Sequence, residues 1–180
     1  MKKILVMILS ICLIAAVLGG CGTTEKVVEA MKFEDGGFAV GFPAKPELVQ
    51  QTAKTPIGDI AFNMYIHEKK DVAYTVSYND YPQEFIDSIE DMEMFYEGAI
   101  GGAAKSADAT ALEQKDITLG EYSGKEITYE GVLEGEDFSM FQRVFLVGNR
   151  LYQVNVTGTK KGIKMEDVQK FMDSFELINN

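Results

Sequence analysis

Apolar residues repeat along this chain at two spacings, and the spacing switches from strand-like to helix-like and back. Residues 38–42, Phe-Ala-Val-Gly-Phe, alternate large and small before Pro43, which cannot donate to a sheet ladder, so they predict a short strand. Residues 47–55 form a weaker strand candidate, and Pro56-Ile57-Gly58-Asp59 reads as a turn. Next, Ile60, Phe62, Met64 and Ile66 alternate with Ala61, Asn63, Tyr65 and His67. This is the period of a strand with one buried face. After Glu68-Lys69-Lys70-Asp71, the residues Val72, Tyr74, Val76 and Tyr78 repeat the alternation against Ala73, Thr75 and Ser77, which predicts an antiparallel hairpin.

Beyond Pro82 the period lengthens. Phe85, Ile89, Met92, Phe95 or Tyr96, and Ala99 fall at helical spacing, with Pro82 acceptable at the first turn and Gly101-Gly102 as the stop. After a loop through residues 105–110, strand spacing returns at Ile117 and Leu119, and again at Ile127, Tyr129 and Gly131, with a corner at 120–124 between them. Residues 133–137 make an acidic turn. Residues 138–147 are apolar on both faces, which predicts a central strand. Gly148-Asn149 fits a two-residue hairpin loop leading to Tyr152, Val154 and Val156. A loop at 158–162 precedes a last helix marked by Met165, Val168, Phe171 or Met172, and Phe175. Hairpin-linked strands around one helix, closed by another, define an α+β class: a mainly antiparallel sheet with helices packed on it.

The first 20 residues stand apart. Lys2 and Lys3 precede an apolar run from Ile4 to Val17 broken only by Ser10. The run is short of the roughly 20 apolar residues a spanning helix needs, and it has the layout of an export signal. It ends in Leu18-Gly19-Gly20-Cys21, which resembles the lipobox of bacterial lipoproteins. That resemblance implies cleavage between Gly20 and Cys21 and a diacylglyceryl thioether on Cys21. Two acyl chains, at about 0.8 kcal/mol per buried CH₂, hold a protein on a bilayer without a spanning helix. The expected organisation is a signal peptide over 1–20, a tether over 21–35, and one domain over 36–180. The expected place is the extracytoplasmic face of the cell membrane.

Charge narrows the function. With the leader and its two Lys removed, 15 basic residues face 28 acidic ones. Such a balance argues against nucleic acid and against electrostatic attachment to anionic lipids. Cys12 and Cys21 are the only cysteines. One lies in the leader and the other is the expected acylation site, so the domain is expected to have no disulfide, catalytic thiol or thiolate metal site.

Three groups of side chains are candidates for chemistry. His67 is the only histidine and falls on the polar side of its strand beside Glu68, where a solvated imidazole is the plainer reading. The first helix carries Glu84, Asp87, Glu90, Asp91, Glu93 and Glu97 on one side with no Lys or Arg between Pro82 and Gly102. Like-charge neighbours such as Asp87/Asp91 cost a few tenths of a kcal/mol each. Glu84, Asp87 and Asp91 are therefore kept as a tentative acidic binding face for a cation or basic partner, although the spacing of a calcium loop is missing. Tyr65 with Ala61, Asn63, Ala73, Thr75 and Ser77 makes a third group, better explained by close packing than by ligand. The pair Glu134/Glu136 is the carboxylate set an enzyme would need to place in a cleft. No glycine cluster follows a strand in the manner of a phosphate loop.

Three segments carry a second likeness: Gly37 to Pro43, Gly124-Lys-Glu-Ile-Thr-Tyr-Glu, and Arg143-Val-Phe-Leu-Val-Gly-Asn-Arg-Leu-Tyr-Gln-Val followed by Phe171-Met-Asp-Ser-Phe-Glu-Leu. Together, over about residues 36–178, they resemble the PsbP-like superfamily, which includes photosystem-associated PsbP, DcrB-like bacterial lipoproteins and other small exported proteins. The resemblance implies an α/β/α sandwich around an antiparallel sheet. It supplies no shared catalytic residues. The expectation is a monomeric, non-enzymatic, lipid-anchored domain without metal or cofactor that engages an envelope protein. A small-ligand or divalent-cation module using the acidic helix is the second expectation.

Overall fold

The computed structural model describes residues 30–133 and 135–178. The leader, Gly20, Cys21 and Glu134 lie outside the described residues. The strands are β1 (Met31–Phe33), β2 (Phe38–Val40), β3 (Glu47–Thr55), β4 (Gly58–Lys69), β5 (Val72–Asp80), β6 (Ala109–Leu119), β7 (Tyr122–Leu133), β8 (Glu136–Val147), β9 (Arg150–Thr159) and β10 (Glu176–Leu177). The helices are α1 (Gln83–Asp87), α2 (Met92–Ala107) and α3 (Met165–Asp173). Seven strands form one sheet in the order β3-β4-β5-β9-β8-β7-β6, and all its pairs are antiparallel. Two meanders, β3–β5 and β6–β9, meet where β5 pairs with β9. β8 is an inner strand, one place from the centre. A small antiparallel sheet, β1-β2-β10, lies apart from it.

Each face of the large sheet is covered differently. On one face Tyr74, Val76, Tyr78, Tyr152, Val154 and Val156 pack beneath β2 and α3, which contribute Phe38, Phe42, Phe171 and Met172. On the other, Ile127, Tyr129, Met140, Val144 and Leu151 pack beneath Tyr96 and Ile100 of α2. Each fully buried side chain of this size contributes about 1.5–3 kcal/mol, so both layers are needed to hold the sheet flat against solvent. Ser174 ties α3 to the segment after β2 within the first of these layers: its hydroxyl donates to the Phe171 carbonyl and accepts from the Gly41 N–H at 2.8 Å. The α+β sandwich expected from the pattern is the fold observed, with helix on one side and helix plus a small sheet on the other.

Four expectations need correction. The stretch assigned to a tether already contains β1, because Phe33 has an aromatic cluster to enter: its ring lies 4.9 Å from Phe38 and 4.4 Å from Tyr65. The helix expected from Pro82 onward is two helices. It breaks after Asp87, and Asp91 restarts it as an N-cap, accepting from the Glu93 and Met94 N–H groups. Gly101-Gly102 does not stop α2, which runs through the expected loop and ends at Asp108, a left-handed residue with φ 53°. Finally, the β4–β5 turn pairs Lys69 with Val72, so Tyr65 opposes Val76 while Met64 opposes Ser77. The apolar sets of the two strands therefore point to opposite faces, and Tyr65, Asn63 and Ala61 do not share a surface with Thr75 and Ser77.

The three glycines inside α2 give a simple test. Gly98, Gly101 and Gly102 are exposed, and a Cβ on any of them would meet nothing within 4 Å. Glycine costs about 0.8–1 kcal/mol relative to alanine in a helix interior. Each single substitution to Ala should raise the thermal midpoint by about 2–4 °C, measured by circular dichroism. A lowered midpoint would mean that α2 is not continuous across Gly101-Gly102.

Candidate functional site

The acidic residues of the α1–α2 region do not form one face. Glu84 and Asp87 lie on α1, where Asp87 accepts from the Gln83 side-chain amide at 2.8 Å. Asp91 is committed to capping α2. Glu93 accepts from the Lys125 ammonium at 2.6 Å, and Glu97 accepts from the Gln114 amide at 2.7 Å, so both reach back to the sheet. The break after Asp87 is the physical reason: it changes the direction of the chain between the two halves of the expected face. Among the described residues no group of three or more His, Cys, Asp or Glu side chains is arranged to hold a metal ion.

His67 is not a solvated outer residue. It is half-buried, opposite Tyr74 on the face that carries the aromatic core. Desolvation, followed by the charge of Lys69, lowers its pKa against the opposing pull of Glu68, so the imidazole is neutral at pH 7.

Polar groups in the sheet are mostly occupied in holding it together. The Tyr129 hydroxyl donates to Gln142 at 2.6 Å, and the Gln142 amide donates to Gln153 at 3.2 Å, a ladder across β7, β8 and β9. Burial raises the Tyr129 pKa, so the phenol stays protonated as a donor. On the opposite face Arg143 bridges Glu126 at 2.6 Å and Asp173 of α3 at 2.8 Å, while Lys115 also reaches Glu126. Burial alone would raise the Glu126 carboxyl, but hydrogen bonds from Lys115 and Arg143 outweigh it and hold it low. Asp173 is likewise low, with burial overcome by bonds from Gln169 and Arg143.

A carboxyl whose folded pKa is depressed adds stability above its unfolded value, about 4, and loses it as pH falls through the folded value. The urea midpoint should therefore drop as pH is lowered from 5 to 3. The Glu126→Gln/Asp173→Asn pair should flatten that drop. An unchanged slope in the double variant would remove these two groups from the acid transition.

Two concave surfaces stand out among the described residues, and the smaller, about 360 Å³, lies between Thr110, Glu130, Phe138 and Lys160. A cleft of about 840 Å³ opens at one end of the sandwich, where the β6–β7 turn, the β8–β9 turn and β10 converge. Leu119, Tyr122, Val147, Leu177 and Ile178 give it half-buried apolar walls, and the exposed carboxylates of Glu121 and Glu176 stand on its rim. Arg150 builds its floor. The guanidinium grips Asp80 through two nitrogens and donates a further bond to the Gly36 carbonyl at 3.0 Å, with its carbon 4.6 Å from the Tyr78 ring centre. Its pKa is raised, first by the Asp80 bond. The Tyr152 hydroxyl donates to the same Gly36 carbonyl at 2.7 Å. Asn149 and Tyr81 exchange bonds, Asn149 Nδ2 to the Tyr81 carbonyl and the Tyr81 N–H to the Asn149 carbonyl. These bonds fix the floor and the β8–β9 tip in place before anything binds.

Sequence reasoning did not find this cleft. Its walls are three segments far apart in the chain, and only the alternation of hairpin turns between the two ends of the sheet could have placed the 120 and 148 turns together.

No family model matches this chain, and no curated protein matches its sequence. Solved structures do. Cyanobacterial PsbP (CyanoP) from Synechocystis sp. PCC 6803 is similar over 89% of this chain and 98% of its own, with a TM-score of 0.56 and 11% identity. A Pseudomonas aeruginosa protein of unknown function matches over 78% of this chain and 88% of its own, at TM-score 0.39 and 9% identity. A Bacteroides thetaiotaomicron VPI-5482 protein matches over 80% of this chain and 46% of its own, at TM-score 0.44 and 12% identity. The CyanoP likeness shows that this chain has a PsbP-like fold, and at that identity it speaks of fold alone.

Proposed function

We propose that this chain is a lipid-anchored, extracytoplasmic accessory domain that is not an enzyme and engages a protein partner of the cell envelope. One observation carries the reading: Leu18-Gly19-Gly20-Cys21 ends a short export leader only ten residues ahead of β1 at Met31. Ten extended residues reach about 35 Å, so an acylated Cys21 would keep the domain close to the bilayer. Two further facts support it. The chain shares its fold with cyanobacterial PsbP, and the superfamily its sequence resembles includes photosystem-associated PsbP and other small exported proteins. The titratable side chains with shifted pKa values are mostly held in ion pairs or the aromatic core.

Fractionation and cross-linking test it. The native chain should sediment with membranes and acquire the mass of a diacylglyceryl group at Cys21. Cys21→Ser should abolish both. Cross-linking on intact membranes should recover the same protein partner reproducibly. A native product with an unmodified Cys21, or no partner across repeated cross-linking, would overturn the reading.

A further inference from the structure

We infer that the cleft at the β6–β7, β8–β9 and β10 end of the sandwich is the partner site, and that it takes an extended segment rich in alternating basic and apolar residues. The inference rests on the accessory reading above and adds the surface and the chemistry of its occupant.

Three observations converge there. First, the walls are apolar and already half-buried, so a segment entering the cleft would remove little-hydrated surface from water with its apolar side chains. Second, the charge is one-sided. Arg150 is consumed by Asp80 and backbone carbonyls, while Glu121 and Glu176 have no ion-pair partner among the described residues. The rim therefore carries two uncompensated negative charges beside apolar walls, which complements Lys or Arg spaced with Val or Leu.

Third, the cleft contains a free sheet edge. β10 is the last strand of the small sheet, and the Ile178 N–H donates to the Gly37 carbonyl on its inner side at 3.1 Å. Antiparallel alternation then turns the N–H and C=O of Leu177 outward, into the cleft. An extended segment laid along β10 can exchange bonds with Leu177 while its alternate side chains enter the apolar walls and reach the rim. The floor is fixed by Arg150, Tyr152 and Asn149, so binding orders the incoming segment and leaves the domain unchanged.

The cleft also lies at the turn end of the β1–β2 hairpin, beside Gly37, the opposite end of that hairpin from Met31, where the tether would join. A segment can approach it without passing the point of membrane attachment.

The test uses a fluorescein-labelled nine-residue peptide alternating Lys and Val, titrated by anisotropy against the full lipidated chain in detergent. Its counterpart alternates Glu and Val. The Lys/Val peptide should bind at least 10-fold more tightly than the Glu/Val peptide. Glu121→Lys/Glu176→Lys should weaken binding at least 10-fold. The remote Glu47→Lys/Glu136→Lys pair makes the same change in net charge and should alter affinity less than 2-fold. Compared with Leu177→Ala, which trims the same apolar wall but keeps the N–H, Leu177→Pro removes the outward N–H, the inward bonds coming from its neighbours. It should weaken binding 5-fold or more while near-ultraviolet circular dichroism stays native.

Equal loss in both charge pairs would reduce the effect to overall charge and overturn the inference, as would equal affinity for the two peptides. A folded Leu177→Pro chain that binds normally would overturn the strand addition. Self-association abolished by the Glu121/Glu176 pair would assign the cleft to a second copy and overturn it too. If the membrane partner is still captured by the Glu121/Glu176 pair, the cleft assignment fails while the accessory function stands. If the unaltered chain captures none, the function itself fails.

Discussion

Replacing Phe38 with Ala should destabilise the domain by roughly 3–5 kcal/mol, the largest loss expected from any single truncation. Phe38 is fully buried, and five aromatic rings surround it. Ring centres lie at 4.9 Å for Phe33, 5.5 Å for Phe175, 5.8 Å for Tyr65, 6.2 Å for Tyr152 and 6.3 Å for Tyr78. These partners come from β1, the end of α3, β4, β9 and β5. The ring is thus the joint between the small sheet and the face it covers. Its own strand is only three residues long, so backbone bonding cannot hold β2 in place once the ring is gone. A typical domain has a net stability of about 5–15 kcal/mol, so this is a large share of the total. Urea denaturation gives the size of the loss. Phe38→Leu keeps most of the volume and should cost less than half as much. Equal losses for Ala and Leu would mean that edge-to-face ring geometry, not filled volume, holds the joint.

That joint shows how far the sequence could be read. The alternation at 38–42 marks β2 plainly, and Phe38 and Phe42 are fully buried as the pattern requires. The strands β5, β7 and β9 are legible for the same reason, a period of two with a buried face, whereas β8 is marked by apolar residues on both faces. The sheet edges are not. Residues of β6 before Ile117 and of β3 are mostly exposed on both sides, so no period marks them. The β4–β5 error was a matter of turn length. A two-residue turn at Lys70-Asp71 pairs 69 with 72 and so sets odd positions against even ones, which reverses the faces that matching apolar sets suggest. α2 was misread at both ends because Gly101-Gly102 was weighted as punctuation and Asp91 was weighted as charge. Its side chain is a cap, and the glycines are merely tolerated. The candidate site was the least legible part. The acidic run was visible, but its carboxylates divide between a cap, an amide partner and a lysine. The cleft depends on Arg150, Glu121 and Leu177, which share neither a period nor a segment.

The lysine that claims Glu93 supports the second large effect. Lys125 lies on β7 with a side chain only 8% exposed, and its ammonium contacts Glu93 of α2 at 2.6 Å and Asp116 of β6 at 2.7 Å. Bonds from Asp116 and then Glu93 outweigh burial and raise its pKa, so it is charged at neutral pH. The three groups differ in burial: Glu93 is 57% exposed and Asp116 is 86% exposed. Removing the lysine leaves two carboxylates that water can solvate. Neutralising both carboxylates leaves the ammonium without a counter-charge, on a side chain only 8% exposed. Lys125→Met should therefore cost about 1 kcal/mol or less, whereas Glu93→Gln/Asp116→Asn should cost about 2–4 kcal/mol although it changes only exposed residues. Either carboxylate alone still neutralises the lysine, so each single variant should lose less than half of the double, and a double-mutant cycle should show the coupling. Hydrogen exchange should report where the loss falls: the first turns of α2 should lose protection before the β8–β9 ladder does, because Glu93, with the Tyr96 hydroxyl on the Ser123 carbonyl, joins the start of α2 to this part of β7. A Lys125→Met chain less stable than the double variant would reverse the order and show that the aliphatic stem of the lysine, not its charge, is what holds α2 to the sheet.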